Sequence, residues 1–521
     1  MGLIKNIKQT PGWIVLLIFS LLLGGIVAFS LKESLTPLFL GGKSYSARSA
    51  LIQIGIFTAY WIVFSSIFFG VLIFLRNATL NFRIFPVVTI SKNQRIYTVL
   101  VIIGLGFALI YFFNNLSPMI DTDTWLLKNF RSFYLMDPVG LDFRTGIYRP
   151  PKMVLNNENI YIAQHSNYPP FTILFFMPLQ LLSENNAYLL IVPLLLSANI
   201  LSLALAAILV KDVLFARLPI EKSVGPSIAI FLLFAVLWYT LSSYSFLFSI
   251  ERGNYDSIAL FFAVSAIYFS IKKPESLWLQ VILLSIATHL KMYPAVLFLI
   301  LFLKHGKKII IPTIVVNTIM LLALGYENAL LFINVMVKYS LAPVTWVGNH
   351  SGFSYADFLY QKYPDIQINL PELKIILTII PIIIWICSSY LAIKHLKSDI
   401  RAVYLLMVSV PLMCTIPTVS HDYKLIILST SILIMFSILI FKIILTSTFW
   451  DFSQLVVLLG FSYFIGRTFL LFPQSIQLIS NKYPIIIGLT LLFLINIIPI
   501  KKSLSLSKEK LSSDLNHDFP L

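Results

Sequence analysis

The sequence is poor in charge. Asp, Glu, Lys and Arg together make up 12% of its 521 residues, against 58% hydrophobic residues. A soluble chain of this length needs a charged surface, and these residues are too few to build one. Cysteine is almost missing. Cys387 and Cys414 both lie in apolar runs, which excludes a disulfide framework or a cysteine zinc site as the organising device. There is no Gly/Ser linker and no strong internal repeat, so no separate globular catalytic domain is expected. Acid is the scarcer charge, with 22 Asp+Glu against 38 Lys+Arg and a formal net charge of +16. That surplus reads as cytoplasmic-loop Lys and Arg facing anionic lipid, so no nucleic-acid partner is expected.

What the chain has instead is apolar sequence of bilayer length, repeated. Mean hydropathy is +0.88, and 42 Phe with 24 Tyr suit lipid contact and interfacial belts. Candidate spans fall at 13–31, 50–75, 97–114, 186–210, 226–249, 256–271, 277–290, 294–303, 309–325, 373–393, 402–418, 424–443, 452–471 and 484–500. The fold class is therefore an all-α polytopic membrane bundle of about 12 to 14 helices. The runs 277–290 and 294–303 are short for a bilayer, and read as two half-spans or a re-entrant hairpin. Lys5 and Lys8 precede the first run without a small-residue cleavage site, which reads as a retained anchor helix.

With both termini in the cytoplasm, the short basic clusters around Lys211, Lys272, Lys304, Lys394 and Lys501 fall on the inner side, as the positive-inside rule requires. His305 and His395, beside inner lysines, read as solvated. Two long loops, 114–185 and 326–372, then face outward. The first contains an apolar piece, 171–182, expected to lie in the interface. The expected organisation is N-terminal spans with a basic inner loop (1–96), a membrane catalytic region (97–500) and a disordered cytoplasmic tail (501–521).

Polar residues at the outer ends of spans are costly, and each is a candidate for function. Asp121 and Asp123 follow the run ending at 114, as a proton acceptor or as a helix N-cap. His165 and Tyr168 lie in the first loop, where Tyr168-Pro169-Pro170 is also a Pro-initiated helix start. Arg252, Asn254 and Asp256 sit in a tight turn, where Arg252 either snorkels or grips a phosphate. His289 and Lys291 lie at the tip of the short hairpin, with the same alternatives for Lys291. Asn349-His350-Ser351 and Ser420-His421-Asp422-Tyr423 complete the set. Adjacent Ser, His and Asp on one turn do not make a catalytic triad, which is a matter of geometry. All fall on the outer side, which argues for one site.

The order of these motifs resembles the polyprenol-phosphate-mannose-dependent mannosyltransferases, a family with the GT-C glycosyltransferase fold. The resemblance covers 120–443. It rests on an outer Asp after an early span, Tyr168-Pro169-Pro170, the turn Arg252-Gly253-Asn254-Tyr255, Lys291 with Pro294, Gly348-Asn349-His350-Ser351 and Ser420-His421-Asp422-Tyr423. Three features depart from the family pattern. Arg252 precedes the Gly and no Gln follows it, His350 replaces a Gln, and two extra spans come first. The resemblance implies an inverting membrane hexosyltransferase. It would move mannose from a polyprenyl-phosphate donor to a lipid or glycan acceptor at the outer face of the plasma membrane. Asp121 or Asp123 would be the catalytic base. Tyr168, Arg252, Asn254, Lys291, Asn349, His350, His421 and Tyr423 would bind substrate. No cofactor and no metal is expected, since a lipid phosphate needs no nucleotide-sugar metal site. Two rivals remain: a polysaccharide polymerase or ligase of the O-antigen type, using lipid pyrophosphate, and a lipid-linked sugar flippase.

Overall fold

The computed structural model describes residues 140–163, 166–218, 224–341, 348–363, 369–445, 449–467 and 481–501, with a few residues in 52–61, 100–106 and 503–505. The chain divides into two compact units, Met1–Ser132 with Glu221–Ser227, and Phe133–Ile220 with Ile228–Leu521. In the first unit the described residues, such as Ile52, Trp61 and Ile103, are helical. The expected spans 13–31, 50–75 and 97–114 lie wholly or largely outside the described residues.

In the second unit a π-helical turn, Phe143–Tyr148, leads into α1 (Arg149–Leu155). Then come α2 (Ile160–Ala163), α3 (Pro170–Phe176), α4 (Glu184–Val213), α5 (Val224–Ser242, in this unit from Ile228), α6 (Tyr244–Arg252), α7 (Asp256–Lys272), α8 (Leu277–Leu290), α9 (Phe298–His305) and α10 (Ile310–Leu321). The chain continues through α11 (Tyr326–Leu341), α12 (Gly352–Lys362), α13 (Leu370–His395), α14 (Ser398–Thr415), α15 (Leu428–Leu445), α16 (Phe449–Gly466) and α17 (Tyr483–Ile495). Among the described residues six helices are long and apolar enough to cross a membrane, or eight if two bent pairs each count as one span. Among the described residues there is no strand, only an isolated bridge between Asn349 and His421. The protein is an all-α polytopic membrane protein.

α15 is the centre. Its sequence is apolar on every side, so no face can be given to water, and all its residues are buried. It packs against α4, α14 and α16. Its serines satisfy themselves on backbone carbonyls: Ser437 Oγ donates to Leu433 at 2.8 Å, and Ser431 Oγ crosses to Met407 on α14 at 2.8 Å. Its one charge, Lys442, pairs with Asp451 at 2.7 Å and donates to Asn496 at 2.6 Å. A buried ammonium is tolerated only with such partners.

Three features place the polar elements. Ser243 caps α6, its Oγ accepting from Phe246 N at 3.3 Å, so the run expected as one span at 226–249 is two helices. α6 then ends at Gly253, at φ 65° and ψ 34°, and α7 leaves at 111° to it. α8 and the short stretch through α9 form the antiparallel hairpin: His305 Nε2 lies 2.7 Å from Gln280 Oε1 at its base, and Lys291-Met292 is its tip. His305 is thus half-buried and partnered, not simply solvated. α10 returns along α8, where Asn317 Nδ2 donates to Ser285 Oγ at 3.0 Å. In the first long loop the expected helix is α3 with a 3-10 extension to Leu181, started by Pro170 in its first turn.

Polar contacts sort the two ends of the bundle. Lys272 pairs with Asp212, Lys304 lies 3.2 Å from Asp399, and Lys501 Nζ lies 3.4 Å from His395 Nδ1. These contacts gather the Lys-rich turns at one end. The end of α8 and the starts of α7 and α15 lie at the other, where the polar side chains meet.

Candidate active site

At that other end is a cavity of about 760 Å³. Its polar wall includes Asp142, Tyr168, Asp256, Lys291, Tyr293, Tyr339, His421, Tyr423 and Lys424. Its apolar wall includes Leu290, Val296, Met336, Leu412, Met413 and Ile416. A concave site joining a greasy side to convergent charged groups is the usual form of a small-molecule or lipid-headgroup site.

Asp142 enters just before the π-helical turn. Gly140, at φ 77°, donates its N–H to the Glu251 carbonyl at 2.7 Å and ties this loop to the end of α6. Arg144 pairs with Glu184 at 2.5 Å and holds the turn against the start of α4. Asn254 Nδ2 then donates to Asp142 Oδ2 at 3.3 Å, while Asn254 Oδ1 accepts from Asp256 N at 3.2 Å. Burial pushes the Asp142 carboxyl above the ordinary carboxylate range, and the charges of Arg252 and Lys291 and bonds from Asn254 and Tyr423 offset only part of that. A carboxylate tuned upward is a better general base near neutral pH.

Lys291 sits between two aromatic faces, 4.3 Å from the Tyr255 ring centroid and 5.2 Å from that of Tyr168. Its Nζ lies 3.7 Å from Asp256 Oδ1, which also accepts from the Tyr293 hydroxyl at 2.7 Å. Burial penalises the Lys291 ammonium, but Asp256, Tyr168 and Asp142 outweigh it and hold its pKa above the usual value. The Tyr168 ring lies so close over Gly146 that a Cβ there would meet Tyr168 Cε2 at 2.6 Å. His421 stacks edge-on to Tyr423 at 5.4 Å, and burial and neighbouring cations lower its pKa to about 4, leaving a neutral imidazole at pH 7.

The expected site residues separate into three groups. Tyr168, Lys291, His421 and Tyr423 line the cavity. Arg252 and Asn254 are not among its lining residues; they act on Asp142 from behind. Asn349 and His350 have no exposed surface and are not among the residues that line the cavity. Asn349 Nδ2 donates to the Thr418 carbonyl at 2.9 Å and its Oδ1 accepts from Ser420 N at 2.8 Å. His350 Nδ1 accepts from Lys482 N at 3.0 Å, and its Nε2 lies 2.9 Å from Asp422 Oδ1. Lys482 Nζ closes the knot on Asp422 Oδ1 at 2.5 Å. These bonds pin the strand-like segment that carries His421. Asp121, Asp123 and His165 lie outside the described residues.

Asp142, Tyr293, Lys424 and Lys482 were missed from sequence. Lys424 had a signal, a charge heading the apolar run 424–443 and following Ser420-His-Asp-Tyr. Asp142 had none, being one acid in a long loop. No cluster of His, Cys, Asp and Glu suited to a metal occurs among the described residues.

Residues 167–415 match the family model for glycosyltransferase family 87. The matched segment contains Tyr168, Asn254, Asp256 and Lys291, while Asp142 precedes it and His421 and Lys424 follow it. A search of curated proteins finds no match. The family match, on an all-α polytopic fold, indicates a membrane glycosyltransferase.

Proposed function

We propose that this membrane glycosyltransferase moves a hexose, mannose being the first candidate, from a polyprenyl-phosphate donor to a hydroxyl of a lipid or glycan acceptor. The observation that carries the reading is the cavity itself. One enclosure joins an apolar wall (Leu290, Val296, Met336, Leu412, Met413 and Ile416) to two carboxylates and two lysines. An isoprenoid suits the first, and a phosphate with a nucleophilic hydroxyl suits the second.

In this reading the acceptor oxygen attacks the anomeric carbon on the face opposite the phosphate. The bond from that carbon to the phosphate oxygen breaks, and its electron pair leaves with the phosphate. The acceptor proton passes to the Asp142 carboxylate. The anomeric centre inverts. Lys291 opposes the charge that gathers on the leaving group. His421, neutral at pH 7, with Tyr168 and Tyr423, orients the sugar through hydrogen bonds. The outer face is the proposed side, because the opposite end of the bundle holds Lys211, Lys272, Lys304, Lys394, Arg401 and Lys501.

The test is sugar transfer by purified protein in lipid, from radiolabelled polyprenyl-phosphate mannose to a crude lipid acceptor pool. Wild type is compared with Asp142→Asn, Asp121→Asn and Asp123→Asn. Transfer that is lost in Asp142→Asn with donor binding intact supports both the reaction and the base. Loss in Asp121→Asn or Asp123→Asn alone moves the base to that residue. No transfer from any monophosphate donor overturns the reading in favour of a pyrophosphate-linked polymerase.

A further inference from the structure

Lys424 is a buried cation with no carboxylate of its own. It is 6% exposed, its Nζ donates to the Val419 carbonyl at 3.3 Å, and it lies 4.5 Å from the Tyr293 ring centroid. Among the described residues it forms no ion pair, and it faces the cavity. One carbonyl and one ring replace only part of the hydration that an ammonium loses on burial.

Each acid lining the cavity already has a basic neighbour: Lys291 faces Asp256 at 3.7 Å, and Arg252 acts on Asp142 from outside the lining. That leaves Lys424 without an ion-pair partner among the described residues. Tyr293 connects the two lysines, since its ring carries Lys424 on its face and its hydroxyl bonds the Asp256 that pairs with Lys291. A buried ammonium without an ion-pair partner is stabilised by an anion placed beside it. A glycosyl phosphodiester carries one negative charge. After transfer the leaving phosphate monoester carries about −1.5 to −2 at pH 7, so the attraction grows as the bond breaks.

We propose that Lys424 is the phosphate ligand of this site, receiving the donor phosphate beside Lys291 and holding the charge that develops on it. The assignment rests on the lipid-phosphate reading above. It adds a residue outside the segment matched by the family model.

The experiment is equilibrium binding of tritiated farnesyl phosphate to the full chain in nanodiscs, with empty nanodiscs subtracted. Farnesol and inorganic phosphate are the parallel probes. Wild type is expected to bind farnesyl phosphate at least about tenfold more tightly than farnesol. Lys424→Met should lose about tenfold or more for the phosphate and leave farnesol unchanged, and Lys424→Arg should recover most of the loss. A Lys424→Met protein with unaltered unfolding temperature and wild-type affinity for farnesyl phosphate overturns the assignment while leaving the lipid-donor reading intact. Lys424-dependent binding of inorganic phosphate without binding of farnesyl phosphate does the reverse. A wild type indifferent to phosphate in both probes removes both. As a check that needs no variant, farnesyl phosphate should protect Lys424 from acylation, read by mass spectrometry, where farnesol should not. Equal labelling with both probes counts against the assignment.

Discussion

Asn254 donates to the carboxylate of Asp142 across 112 residues of sequence, at 3.3 Å. The same Asn accepts from the N–H of Asp256, so the turn between α6 and α7 orients both acids of the cavity at once. Asn254→Ala removes a bond to a charged group, which is worth about 1.5–3 kcal/mol. Transfer is expected to fall about 10- to 100-fold in kcat, with a smaller change in KM, since the bond positions the proposed base rather than binding substrate. Asp142→Asn should cost about 10²- to 10⁴-fold. Steady-state kinetics in nanodiscs measure both.

The pH profile follows from the same pair. The Asp142 carboxyl is raised by burial, so its proton is lost at a higher pH than that of an ordinary Asp. The base is active only when deprotonated, so the rate should rise with pH through that raised value and reach a plateau above it. Removing the Asn254 bond takes away a partner of the carboxylate form. The acid limb should therefore move further up in Asn254→Ala. A limb that moves down, or stays in place, would argue against Asp142 as the base.

The wall behind His421 is held by a fully buried ion pair, Lys482 with Asp422. Lys482→Met leaves Asp422 buried without its cation, a loss of about 3–5 kcal/mol in comparable pairs. Thermal unfolding in detergent should show a clear drop for the single variant. Lys482→Met with Asp422→Leu should recover part of it, because no unpaired charge is then left. Equal loss in both proteins would show that packing, not charge, governs this knot.

Gly253 takes a left-handed conformation, at φ 65°, and an added Cβ would meet Phe143 Cβ at 2.6 Å. Gly253→Ala should therefore destabilise by more than the roughly 1–2 kcal/mol of left-handed strain alone. It should also displace the turn at Phe143, and with it Asp142. Activity and unfolding temperature should fall together.

Transfer should survive chelation. Lys291 and Lys424 already oppose phosphate charge in the proposed site, so EDTA is expected to leave the rate unchanged. Abolition by EDTA and rescue by Mn²⁺ would instead give Asp121-Thr-Asp123 a metal to hold.

Class and general placement were legible in the sequence. Scarce charge and repeated apolar runs leave a helical membrane bundle as the solution, because backbone polar groups in lipid must be satisfied within each helix. Tyr168, Lys291, His421 and Tyr423 could be found because a polar residue at the end of an apolar run stands out against a local background. The tertiary structure decided what depends on distance across the chain. Asp142 owes its place to Asn254 and Glu251, far along the sequence. Asn349 and His350 lie against Ser420, Asp422 and Lys482, which no local sequence pattern announces. A sequence motif records which polar groups are present. Which of them keep a bond free for substrate is set by neighbours that only folding supplies.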